Sequence, residues 1–117
     1  MKYNTFYQHY RNEKEYFFDS IAIPISEFTG NKHDLTLANL AYDADTPEGA
    51  EVKRVQLYVH KGATYIDRDV YHVIYQSEDD YDTEKVWVRN VEDFFGMVDL
   101  PIGNKVKRFT RLNKEVR

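Results

Sequence analysis

The sequence predicts a mainly β protein, a small barrel-like or strongly bent antiparallel sheet, with an SH3-like barrel as one form and a single short helix. Three observations predict it. Several short segments alternate apolar and polar residues between turn signals. Tyrosine, a strand former suited to half-buried surfaces, supplies 10 of the 117 residues. The stretch Val86–Val98, which holds the single tryptophan, reads as a strand running into one helical turn.

In that stretch Val86 and Val88 point to one side of an extended chain, and Trp87 and Arg89 to the other. Asn90 is placed to cap the turn, with Glu92 and Asp93 near its positive end. Val91, Phe94 and Phe95 share an apolar helical face, and Gly96 is a stop that can enter the left-handed conformation.

The remaining elements follow in order. Residues 3–10 are aromatic and extended, and residues 11–15 form a polar turn. A second strand covers 16–25, with Ile21, Ile23 and Ile25 on one face and Pro24 ending it or placing it at an edge. Residues 26–34 are a loop. Residues 35–43 fit either helix or strand, and their short length favours strand. A loop at 43–49 precedes a clear strand in which Val55, Leu57 and Val59 alternate with Gln56 and Tyr58. Lys61-Gly62 marks a turn, and residues 70–75 give the densest strand signal. Residues 76–84 read as a solvated acidic hairpin loop, 100–104 as a turn, and 106–112 as a last strand. Residues 1–112 are thus read as one β-rich domain and 113–117 as a frayed tail.

Bulk properties narrow the function classes. Cysteine is absent, which excludes disulfides and thiolate metal sites. No apolar run approaches the ~20 residues needed to span a bilayer, and residues 1–5 lack the apolar stretch of a signal peptide. The expectation is a soluble cytoplasmic protein with no membrane association. A net charge of −4 and a pI near 5.5 argue against generic duplex nucleic-acid binding. The charge is uneven, with acidic residues at 78–84 and basic ones at 105–117.

Four blocks carry a family resemblance: Tyr7-x-His9-Tyr10-Arg11 followed by Tyr16; Val70 to Tyr75; Trp87-Val88-Arg89-Asn90 with Phe94-Phe95; and Lys107-Arg108-Phe109. They resemble domain-of-unknown-function family 1653, a small bacterial and phage domain, with order and rough spacing agreeing for three of the blocks, over residues 7–16 and 70–112. Its members read Y-x-H-Y-K then Y, a V-x-Y strand, W-V-R-P with a following aromatic, and R-F. Two features depart from that pattern. Residues 26–69 stand as an insertion relative to the family, and Asn90 replaces the usual proline. The resemblance implies a mostly β domain and no activity.

Candidate chemistry is sparse. His9, His33, His60 and His72 show no H-x-H or H-x-x-x-H spacing, so no metal site is expected. Asp67, Asp69, Glu92 and Asp93 are available carboxylates, but their positions also suit strand and helix starts. There is no nucleophile elbow and no phosphate-cradling glycine loop, so neither catalytic residues nor a cofactor is assigned. The most informative constellation is Trp87 and Arg89 with Tyr7, His9, Tyr71 and Tyr75. On neighbouring strands they would present aromatics and a guanidinium on one surface, able to stack a base, grip a cation or hold a peptide. The plainer alternative puts the rings in the core, with Arg89 reaching solvent along its stem. The leading expectation is a non-enzymatic binding module for an unidentified small ligand or partner protein, with Tyr7, His9, Tyr71, Trp87 and Arg89 as contacts. A second is an acidic phage-type inhibitor or nucleic-acid mimic acting on a host protein through Asp79, Asp80, Tyr81 and Asp82. A third is a nucleic-acid binder using the basic C-terminal strand. The tyrosine load also suits a homodimer.

Overall fold

A computed structural model describes residues 5–80 and 83–112. Its strands are β1 (Thr5–His9), β2 (Glu15–Pro24), β3 (Thr36–Asp43), β4 (Arg54–His60), β5 (Ala63–Ile66), β6 (His72–Ser77), β7 (Trp87–Asn90), β8 (Met97–Asp99), β9 (Lys105–Lys107) and β10 (Phe109–Leu112). One helical turn, α1 (Val91–Phe94), follows β7. The strand reading of 35–43 holds as β3, and β2 ends at Pro24 as the missing amide donor requires. Residues 113–117, read as a frayed tail, lie outside the described residues.

The protein is mainly β, and six of its strands close a barrel in the order β2-β5-β4-β3-β7-β6, with β6 returning to β2. The length of β2 makes closure compatible with two further strands. Its first half pairs with β1 (Thr5↔Phe18 to Gln8↔Glu15), and its last three residues pair with β5. Along its other side runs β6, with the register shifting between Phe18 and Ser20. β10 then adds to β1 outside the barrel. The sheet is mixed rather than antiparallel, because β2–β5 and β3–β7 are parallel. Alternation in a sequence tells which residues share a face; it does not say which strand lies alongside, or in which direction.

Two apolar clusters lie on opposite sides of the barrel wall. Ala22, Ala41, Val55, Leu57, Ile66, Ile74 and Val88 form the interior. Val73, Tyr75, Phe94 and Phe109 form an outer cluster, covered by Tyr7, Tyr16, Phe18, Ile21, Trp87 and Val91. β6 belongs to both, and all of its residues are buried. That is why its sequence is a dense apolar run rather than an alternating one. In β2 the side chains buried in the barrel wall are Ala22 and Pro24; Ile21 packs outside, and Ile25 has left the strand for a 3-10 turn.

Several local expectations hold and others are corrected. The Asn90 Oδ1 accepts from the Glu92 N–H at 2.9 Å, as a cap should. Phe94 is fully buried and stacks on Phe109 with centroids 4.2 Å apart, but Phe95 turns outward and is 47% exposed. The helix ends at Phe94, and Phe95 is its C-cap, off the helical face. Gly96 is not left-handed. A side chain is excluded there because a Cβ would stand 2.6 Å from the Glu92 carbonyl oxygen. The last strand breaks at Arg108, whose N–H donates to the Gly96 carbonyl and whose Nε donates to the Asp93 carbonyl. β9 therefore pairs with β8, and β10 with β1.

Candidate functional site

Arg89 is the centre of the site. The alternation of β7 sends Val88 into the barrel and Trp87 and Arg89 outward, onto the aromatic cluster. The Arg89 side chain is only 13% exposed. Its Nε donates to the Tyr75 hydroxyl at 3.3 Å, and its guanidinium sits 5.8 Å from the Phe109 ring centroid. Nη1 lies 3.6 Å from the Asp45 Oδ1. Asp45 is fixed in turn by the Asn90 N–H, which donates to Oδ2 at 2.8 Å. Arg89 also lines a cleft of about 240 Å³ between β1, β2, β6, β7 and β10.

His9, Arg11 and Asn12 edge this cleft, and Tyr16, Tyr75, Trp87 and Phe109 wall it. β1 brings His9 there because it pairs in register with Phe109, and the two rings meet edge to face at 5.0 Å. The His9 Nδ1 accepts the Arg11 backbone N–H at 3.2 Å, which assigns the ring proton to Nε2. Burial, reinforced by the Arg89, Arg108 and Arg11 charges, lowers the His9 pKa to about 4, so near neutral pH the ring is an uncharged N–H donor. Burial also pushes the Tyr75 hydroxyl up to about 12, which keeps it protonated beside Arg89. The Asp45 carboxyl is raised, burial outweighing the help of Asn90 and Arg89.

The arrangement presents hydrogen-bond donors over aromatic walls. It can hold an anionic group against a planar one. The His9 Nδ1 is taken by the Arg11 N–H, and the Asp45 carboxylate is engaged by Arg89.

The sequence-derived contacts divide among three places. His9, Trp87 and Arg89 come together in the cleft. Tyr7 lies behind it as support, its ring against Phe18, Phe94 and Phe95. Tyr71 does not join them. It precedes β6, its hydroxyl donates to the Glu27 carboxylate, and it borders a separate cleft of about 420 Å³ with Val70, Val91 and Glu92. In the acidic segment Asp79 is bound to the Lys14 ammonium at 2.8 Å, and the Asp80 carbonyl accepts from Thr83. Tyr81 and Asp82 lie outside the described residues.

Sequence reasoning did not single out Arg11, Asn12, Phe109 or Asp45 as site residues. Asp45 gave no signal, because a loop carboxylate in a polar run looks solvated until the fold sets it beside Arg89.

Among the described residues no group of three or more His, Asp or Glu could hold a metal ion, and no helix is long and apolar enough to cross a membrane. No family model, no curated protein and no solved structure matches the chain.

Proposed function

We propose that this barrel is a non-enzymatic binding module that recognises an anionic group, phosphate or carboxylate, in the Arg89 cleft. The observation that carries the reading is the placement of Arg89 itself. A largely buried guanidinium is held in position by the Tyr75 hydroxyl and the Asp45 carboxylate and lines a concave, aromatic-walled space. Desolvating an arginine is costly, and among the described residues its one ion-pair partner stands 3.6 Å away. A second, incoming anion would meet pre-placed donors from Arg89, His9 and Arg11, which lowers the ordering cost of binding. The cleft volume suits one planar ring or one anionic head group rather than a large metabolite.

Titration with inorganic phosphate, followed by Trp87 fluorescence and by amide chemical shifts, tests this reading. Saturable shifts centred on residues 9–12 and 87–90 are expected. Arg89→Lys should weaken binding roughly tenfold, since a lysine keeps the charge but loses the two-pronged geometry. Phosphate that produces no saturable change in the wild-type protein would sink the reading.

A further inference from the structure

We propose that the anion recognised is the phosphate backbone of single-stranded nucleic acid, with an unpaired base stacked at Trp87. This rests on the reading of the Arg89 cleft as an anion site, and it extends that site across the barrel wall.

Trp87 lines the Arg89 cleft, and its ring neighbour Tyr42 borders a second hollow of about 490 Å³ beside β3 and β4, together with Arg54, Lys85 and Glu84. Tyr42 and Trp87 are register partners in the parallel β3–β7 pair, with ring centroids 5.3 Å apart. Cations lie over both rings. The Arg54 guanidinium is 4.2 Å from the Tyr42 centroid, and the Lys85 ammonium is 5.1 Å from Tyr42 and 5.4 Å from Trp87. Lys85, Trp87 and Arg89 therefore set cation, ring and cation at two-residue intervals along one line, with Arg11 beyond.

This repeat matches a polymer in which charge and flat ring alternate. Single-strand binders combine a basic track with stacking rings, and each stacked base contributes enough to be measured. Among the described residues, the carboxylates near this track include Asp45, which Arg89 engages, Glu84 at the rim of the second hollow, and Glu48, whose charge acts on Arg11. A peptide partner is disfavoured here, because β3 and β7 are each paired on both sides and offer no open ladder for strand addition. A duplex is disfavoured because its bases cannot reach the rings, and the net charge of −4 opposes general phosphate contact.

The test is a titration of the full chain with a short oligouridylate, uridine monophosphate, a duplex of mixed sequence and a phosphotyrosine peptide, at low and moderate salt. The intrinsic fluorescence of Trp87 is the readout. Lys85→Glu and Arg54→Glu, both at exposed positions, serve as variants, with melting curves to confirm that they fold. The oligouridylate should quench Trp87 and bind at least roughly tenfold tighter than the mononucleotide. Lys85→Glu should weaken the oligonucleotide roughly tenfold and leave the mononucleotide unchanged. Equal affinity for the two probes overturns this inference while leaving the Arg89 anion site standing. Oligonucleotide binding that ignores Lys85→Glu, or a duplex or phosphopeptide that binds more tightly, also overturns it. If neither inorganic phosphate nor any nucleotide binds, both readings fall together.

Discussion

Arg89 and Tyr75 are diagonal neighbours on the β6–β7 ladder, where Arg89 pairs with Val73 and Tyr75 with Trp87, and the guanidinium Nε donates to the phenol oxygen at 3.3 Å. That bond orients the arginine towards the cleft. Tyr75→Phe removes the acceptor without opening a cavity. It should cost about 1 kcal/mol of stability, the usual net value of a buried hydrogen bond, and it should weaken phosphate binding by letting Arg89 swing. Chemical denaturation and phosphate titration of the same variant check the two effects. A stability loss with phosphate affinity untouched would show that Tyr75 does not position Arg89.

Arg89→Ala should destabilise more, by about 2–3 kcal/mol, because it leaves the Asp45 carboxylate half-buried without its cation. Adding Asp45→Asn should recover part of that loss. The double-mutant cycle measures the coupling, and strictly additive losses would mean that the pair at 3.6 Å contributes nothing.

His9 makes stability depend on pH. Its folded pKa, about 4, lies below the ordinary value of 6.5, so the unfolded chain takes up the proton first. The neutral ring's contribution is full above pH 6.5 and is lost progressively as the pH falls towards 4. The difference in melting temperature between wild type and His9→Phe should therefore change across that window and stay flat above it. A difference that is constant over the whole range would contradict the shift.

The outer cluster predicts a contrast between two aromatic residues. Phe94 is fully buried on Phe109, and Phe94→Ala should cost about 3–5 kcal/mol. Trp87 is half-buried with one edge in the cleft, and Trp87→Ala should cost less, about 1–2 kcal/mol. Urea unfolding of both variants decides the order. The reverse order would move the centre of the outer cluster from Phe94 to Trp87.

The turn after β7 offers two small substitutions with different causes. Asn90→Ala removes the cap on Glu92 and should cost about 1 kcal/mol. Gly96→Ala drives a methyl group against the Glu92 carbonyl and should cost about 1–3 kcal/mol, with the loss appearing also in β8 and in the Arg108 contact. Hydrogen exchange at Arg108 distinguishes them, since only the glycine variant should expose that amide.

Local patterns determined much of this protein by themselves. The period-2 alternation of Val55 and Leu57, the stop at Pro24 and the Asn90 cap each follow from the chemistry of a few neighbouring residues, and each is where the sequence puts it, whereas the strand read at 70–75 lies at 72–77, with Gln76 and Ser77 buried in β6 rather than in the solvated loop expected from residue 76. The pairing of Trp87 with Arg89 on one face was legible for the same reason. What only the tertiary structure decided is which strands lie side by side. The parallel β2–β5 and β3–β7 pairs close the barrel, bring His9 and Phe109 to Arg89, set Tyr42 and Lys85 against Trp87, and leave Tyr71 elsewhere. Neighbours within a strand are joined by a few bonds of known geometry, so their relation can be read directly. Neighbours across a sheet are selected by the burial of the whole chain at once, and no short window of sequence contains that choice.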